Sequence, residues 1–257
     1  MNPPTAEGYE AVNSAHWDEV AELHRVSYNT PSLIKNRTGL STVVVEDARL
    51  LAPYLPGGSV AGLDLSHESL RVARELSAEA GVDVDYVQSS VHDAATALAG
   101  RDYDVVYTSI GVLAWLDDLG QWARLIAGLL RPRGIFFIHE GHPMAMSLDF
   151  DAPEGELRLA WPYFDIGPQV EDSGVDYSSP VPVEHARTYE WAHGLGDILG
   201  SLLKAGLTIL DFQEHQTLPW SPLPWMKPDP ADPLGWYALP APLRPLCPLA
   251  FSLVARR

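Results

Sequence analysis

The residues in this chain that could do chemistry sit at the ends of short apolar runs. Val60-Ala61-Gly62-Leu63-Asp64 ends in a carboxylate, and Ile135-Phe136-Phe137-Ile138 leads into His139-Glu140-Gly141-His142. The carboxyl ends of strands in an open α/β sheet line its ligand crevice, so groups just past such runs are placed to meet a ligand. His142 is a candidate general base there; the competing reading is a turn histidine bonded to backbone. The His139–His142 stretch lacks the helical His-Glu-x-x-His spacing of a zinc site, and no metal is expected.

These runs need a scaffold. Asn13-Ser14 reads as a helix cap, with Asp18 and Glu19 in the first turn and Trp17, Val20, Ala21 and Leu23 as a partial apolar stripe to about Tyr28. Thr30 to Gly39 reads as loop. Thr42-Val43-Val44-Val45 is β-branched and favours a strand, whereas Leu50, Leu51 and Leu55 favour a short helix ending before Pro56-Gly57-Gly58, so the boundary stays open. Ser66 caps a helix carrying Leu70, Ala73, Leu76 and Ala80 and closed by Gly81. Val82 to Val87 and Tyr103 to Tyr107 read as strands. Asp117-Asp118 starts a helix with Leu119, Trp122, Ala123, Ile126 and Leu129 on one side. Pro132-Arg133-Gly134 then turns the chain into the strand Ile135–Ile138. A helix with Leu195, Ile198, Leu199, Leu202 and Leu203 precedes strands at Leu207–Glu214 and Leu249–Ala255. Strands alternating with helices imply a parallel sheet built from right-handed crossovers.

Composition narrows the ligands. The 257 residues carry 17 basic and 34 acidic side chains, a net charge of −17. That excludes unaided binding to nucleic acid or to an anionic membrane surface and points to small neutral or cationic partners. From Ala145 to Glu190 ten acids stand against two bases, an acidic stretch that is either a solvated face or a selector of cationic acceptors. Ten of the 22 prolines fall between Pro219 and Pro248, among Trp220, Trp225, Trp236 and Tyr237, and read as a packed cover without helix or central strand. The lone Cys247 has no disulfide partner and reads as a small apolar residue. With no apolar span and no basic leader at Met1–Glu10, a cytoplasmic location is expected.

The order Val60–Ser66, then Tyr86-Val87-Gln88-Ser89-Ser90-Val91-His92-Asp93, then Tyr103–Ser109, Gly111–Leu116 and Leu129–Gly134 resembles the class I S-adenosylmethionine-dependent methyltransferases. Within them it is similar to a bacterial small-molecule group that also has the His142-Pro143 and Tyr189-Glu190-Trp191 stretches. The resemblance implies a Rossmann-like α/β fold, mostly parallel with an antiparallel C-terminal strand, in one domain over 1–257. Its parts are an N-terminal helical cap (1–58), a Rossmann-like core (59–140), an acidic insertion or lid (141–190), and a C-terminal helix, strands and Pro/Trp-rich cover (191–257). It implies S-adenosylmethionine as cofactor, near Asp64, Leu65, Ser89, Ser90, Val91, Ser109, Gly111 and Val112. A small-molecule acceptor would meet Trp115, Tyr163, Tyr189, Trp191 and His193; Tyr189 and Trp191 have a second reading as core residues of a strand. Asp64 would accept the ribose hydroxyls, or else cap the next helix, although Ser66 already offers that cap.

Two departures stand out. The family precedes the acid-ending strand with a strand, a glycine-rich turn and a helix whose N–H groups face the cofactor. Here Leu55-Pro56-Gly57-Gly58 runs directly into Ser59, so the first strand and its loop are missing, or Thr42–Val45 replaces the strand, or its neighbours close up. At Ser89-Ser90 the family often has an acid. The expected function is methyl transfer to a small organic molecule. The alternatives are a methyltransferase-like binding protein or cofactor-independent enzyme, and a nicotinamide oxidoreductase, which also needs a glycine fingerprint.

Overall fold

The structure is a computed structural model that describes residues 6–28, 42–54 and 58–257. The expected loop at Thr30–Gly39 and the turn residues Pro56 and Gly57 lie outside the described residues. Helix α1 (Ala6–Ser27) begins well ahead of Asn13, which is buried inside it rather than capping it. The reason is long-range: Asn13 Nδ2 donates to the Tyr189 carbonyl at 2.9 Å while its Oδ1 accepts from Tyr189 N at 2.8 Å. Thr42–Leu51 is helix α2, not a replacement strand. Its sheltered positions, Val43, Glu46, Asp47, Leu50 and Leu51, recur every three or four residues, and that burial pattern overrides the β-branched preference of the first turn.

Strand β1 (Val60–Asp64), helix α3 (His67–Ala80) and strand β2 (Val84–Gln88) follow as a right-handed unit would require, with β1 and β2 parallel. Next come β3 (Tyr103–Thr108), α4 (Leu119–Leu129) and β4 (Leu130–Gly141). Strand β4 already starts at Leu130, so Pro132-Arg133-Gly134 is a kink within it rather than a turn before it. Arg133 is left-handed at φ 69° and its N–H reaches the Arg257 carbonyl. The acidic stretch folds into four short strands, β5 (Gln169–Glu171), β6 (Val175–Asp176), β7 (Ser179–Pro182) and β8 (Thr188–Glu190). Helix α5 (Leu195–Lys204) and strand β9 (Thr208–His215) lead to three two-residue strands, β10 (Thr217–Leu218), β11 (Lys227–Pro228) and β12 (Tyr237–Ala238), and to the last strand β13 (Ala250–Arg256).

Chain contacts group these elements into two compact units. The first comprises Met1–Ser41, Pro56–Arg101 and Pro168–Glu190; the second comprises Thr42–Leu55, Asp102–Gly167 and Trp191–Arg257. In the first, α1 packs on α3 and on β8, burying Tyr9, Val20, Ala21, Leu70 and Val72. In the second, the sheet order is β3-β4-β13-β9, with β4 parallel to β3 and antiparallel to β13. Phe136 and Ile138 of β4 are fully buried, and Trp122 of α4 packs edge-on against Phe136. On the opposite face Leu51 of α2 meets Phe137 and Val254. The proline-rich segment covers a second cluster that includes Leu148, Leu218, Leu223 and Leu249. Cys247 is buried there, and burial pushes its thiol up to about 11, in line with an inert apolar role.

Among the described residues β1 pairs only with β2, and β3 only with β4. The strand that the resemblance places between them is not among the described residues. Among the described residues no helix is long and apolar enough to cross a membrane.

The Asn13 grip yields a direct test. Asn13→Ala leaves the Tyr189 N–H and carbonyl without partners and lowers stability by about 2 kcal/mol, measured by urea titration. Asn13→Asp keeps the acceptor alone and falls between the two.

Candidate functional site

In the first unit, Asp64 stands exposed at the carboxyl end of β1, with Oδ1 accepting from Ser66 N at 2.8 Å. Capping of α3 belongs to Ser66. Its Oγ accepts from Ser69 N at 2.9 Å and donates to Asp18 Oδ1 at 2.7 Å. Of the two roles the sequence left open for Asp64, the helix cap is therefore taken by another residue. One strand over, Ser89 N donates to the Asp64 carbonyl at 3.0 Å, so Asp64, Leu65, Ser89, Ser90 and Val91 share one end of a parallel pair. The two serine hydroxyls work within their own turn: Ser89 Oγ donates to the Ser90 carbonyl and Ser90 Oγ accepts from Asp93 N. Tyr189 also lies in this unit, on β8.

The second unit centres on Glu140, a carboxylate that sequence reasoning did not single out. It is buried near the end of β4. Its Oε1 accepts from Gly111 N at 2.7 Å and Gly141 N at 2.8 Å, and its Oε2 accepts from Leu113 N at 3.3 Å. Burial pushes its pKa up, and the surrounding N–H donors oppose that rise. The clamp fixes the loop after β3, where Gly111 takes a φ of 86° that a side chain would resist. The same loop is tied from its far side. Trp191 N donates to the Ala114 carbonyl at 2.8 Å and His193 Nε2 donates to the Leu116 carbonyl at 2.6 Å. Tyr163 OH accepts from Leu195 N at 3.2 Å, and its ring lies against Gly194, where an added Cβ would come within 2.8 Å. Ser109, Gly111, Val112, Trp115, Tyr163, Trp191 and His193 thus all belong to the second unit. Trp191 is buried, whereas Tyr163, Trp115 and His193 stay partly accessible.

His142 is only 4% exposed, so it is not presented to solvent as a free base. Its Nδ1 accepts from Met144 N at 3.0 Å, capping the turn Pro143–Met146, and its Nε2 lies 3.0 Å from Glu214 Oε1. Burial holds its pKa down. A histidine that sequence reasoning passed over is held differently. His139 Nδ1 bonds Asp47 Oδ1 at 2.9 Å, while Tyr107 OH donates to Asp47 Oδ2. The partners Asp47 and His139 lie on α2 and β4, and no local spacing links them. Among the described residues no group of three or more His, Cys, Asp or Glu could hold a metal ion.

Residues 44–138 match the family described as "Methyltransferase domain". A ubiquinone biosynthesis O-methyltransferase from Escherichia coli O157:H7 is 38% identical over 140 residues, covering 50% of this chain and 58% of that protein. The homologous protein of Citrobacter koseri is 36% identical, with 57% of it covered. The chain therefore spans little more than half the length of these curated relatives. Among solved structures, an S-adenosylmethionine-dependent methyltransferase from Mesorhizobium loti aligns at a TM-score of 0.52 and 20% identity, over 77% of this chain and 80% of that one. Another from Clostridium acetobutylicum aligns at 0.50 and 13% identity, over 94% and 96%. These likenesses establish the fold.

Two outcomes follow from the buried groups. Glu140→Gln sets an amide NH2 among N–H donors. It costs about 2–3 kcal/mol and speeds hydrogen exchange at the Gly111, Leu113 and Gly141 amides. Burial also lowers the folded pKa of His142, His193 and His215. Below their unfolded value of about 6.5 the unfolded chain binds more protons. Their contribution is full above that value and is lost as pH falls towards the folded pKa values. Urea midpoints therefore drop from pH 7.5 to 5.5, and His193→Gln, which keeps a donor for Leu116, makes the drop shallower.

Proposed function

We propose that this chain, which carries a methyltransferase domain of the class I S-adenosylmethionine-dependent family on that family's fold, transfers a methyl group from S-adenosylmethionine to a small organic acceptor. The observation that carries the reading is Asp64: an exposed carboxylate at the carboxyl end of β1, with the turn Ser89–Val91 beside it at the end of the paired strand. A carboxylate so placed can accept both hydroxyls of a ribose, and the turn one strand away, partly accessible at Ser89 and Val91, suits the edge of a base. The adenosine end of the cofactor fits these residues.

The amino-acid end has less to meet. Among the described residues no glycine-rich turn opens a helix after a strand; Gly58, at φ 144°, leads into β1 instead. Within the second unit, Ser109, Gly111 and Val112 are proposed as ligand-facing residues of the loop whose shape Glu140 sets. When bound, the cofactor's sulfonium supplies an activated methyl group. The chain's own part is placement, which can supply much of the rate of an in-line displacement. Trp115, Tyr163 and His193 offer partly accessible walls for an acceptor. The net charge of −17 favours an uncharged or cationic acceptor over an anionic one and disfavours nucleic acid or an anionic membrane surface as partner.

Calorimetric titration tests this directly. S-adenosylmethionine is expected to bind in the micromolar range. Asp64→Asn, which loses a charge-assisted bond to the diol, is expected to weaken binding by about tenfold or more. No heat with millimolar S-adenosylmethionine overturns the assignment and leaves a protein of methyltransferase fold that binds or transforms something else.

A further inference from the structure

The second unit holds a cavity of about 270 Å³, lined by Glu46, Arg49, His139, His215, Asp232 and Trp236 among others. Its size sits at the small end of the range for ligand pockets and suits a molecule of one ring. His139 and Trp236 form one wall, their rings nearly parallel at 25° with centroids 5.5 Å apart. Both rings are buried, and each has a nitrogen without a hydrogen-bond partner, Nε2 of His139 and Nε1 of Trp236. Buried polar atoms are nearly always paired, so two orphans on adjoining rings beside one cavity call for a reason.

Their chemistry is complementary. The Asp47 carboxylate accepts from Tyr107 OH and faces His139 Nδ1 at 2.9 Å, which makes Nδ1 the protonated nitrogen and leaves Nε2 with its lone pair. Trp236 Nε1 can only donate. A hydroxyl group is the simple function that does both, giving its hydrogen to one nitrogen and accepting from the other. The rest of the lining selects by charge. Arg49 is held bidentate by Glu46, at 2.8 and 2.5 Å, so its charge is already matched, whereas Asp232 accepts only the Leu234 amide in its own turn among the described contacts. An anion would meet unfavourable charge there.

The geometry points to this cavity as a binding site for a small, uncharged, hydroxyl-bearing ring compound, whose hydroxyl proton is received by His139 Nε2 with Asp47 as positioning residue. It goes beyond the reading of the previous subsection, whose acceptor walls Trp115, Tyr163 and His193 do not line this cavity, and it does not depend on that reading. The proton step is self-contained: the O–H bond breaks, the Nε2–H bond forms, and the resulting imidazolium faces Asp47 while the oxygen is left as the nucleophile. His142, whose Nδ1 is committed to Met144, has no part in it.

Phenol and anisole are the probes, because they share a ring and differ in the hydroxyl hydrogen. With the intact chain labelled at histidine and tryptophan nitrogens, phenol is expected to shift His139 Nε2 and Trp236 Nε1 saturably. Anisole is expected to leave Nε2 unmoved and to bind about tenfold more weakly. His139→Gln, checked for folding by circular dichroism, should abolish the preference for phenol. Equal binding of the two probes with Nε2 unmoved overturns the proposal, as does no shift with either at millimolar concentration. Neither measurement needs S-adenosylmethionine. Phenol binding without any heat from the cofactor would therefore uphold the site and reject the transferase reading, whereas the converse would do the opposite.

Discussion

A buried carboxylate without donors is unaffordable to a fold, and Glu140 turns that constraint into architecture. Because its oxygens must be satisfied away from water, the N–H groups of Gly111, Leu113 and Gly141 converge on it, and the loop after β3 has one shape. That loop in turn offers the carbonyls of Ala114 and Leu116 to Trp191 N and His193 Nε2. The start of α5 then follows, with Leu195 N tied to Tyr163 OH. One acid at the end of β4 thus sets the geometry of residues drawn from three separate stretches of chain.

The sheet carries the opposite constraint. Strands β1 and β3 each have an edge with no strand on it among the described residues. Backbone groups on such an edge must find water or another partner. The fold survives this because each unit retains a core of its own. Strand β4 is paired on both sides and buries Phe136 and Ile138 completely, while α1 and α3 close over Leu70 and Val72. Each unit thus carries apolar burial of its own.

What could be read from the sequence was what local rules control. Ser66 and Gly81 bound α3, and Asp118 caps α4 by accepting from Gln121 N, because capping needs only residues a turn away. The alternation of strands and helices that marks the class I fold was legible for the same reason. Asn13 has the composition of a cap, but its partners are the backbone groups of Tyr189, far along the chain. Thr42–Val45 has the side chains of a strand, yet the helical recurrence of Asp47, Leu50 and Leu51 decides the matter through burial against β4 and β13. At the site, Asp64 was visible as an acid closing an apolar run. Glu140 and His139 were visible only as part of a stretch whose spacing spoke against a metal site, since the groups they hold lie dozens of residues away.

Comparing the acids separates structure from chemistry. Glu140 is surrounded by donors and Asp47 is bridged by Tyr107 and His139. Asp176 accepts from Ser178 N while facing His24 at 2.9 Å. In each, the negative charge is matched inside the protein, and the carboxylate serves as a joint. Asp64 differs, since it is exposed and gives one oxygen to a short local turn. A ligand gains most where the protein has not already satisfied the acid, because it then replaces water rather than an internal donor. By the same logic the chemistry of the Asp47–His139 pair resides not in the carboxylate, which is fully engaged, but in the one ring nitrogen that the carboxylate leaves available.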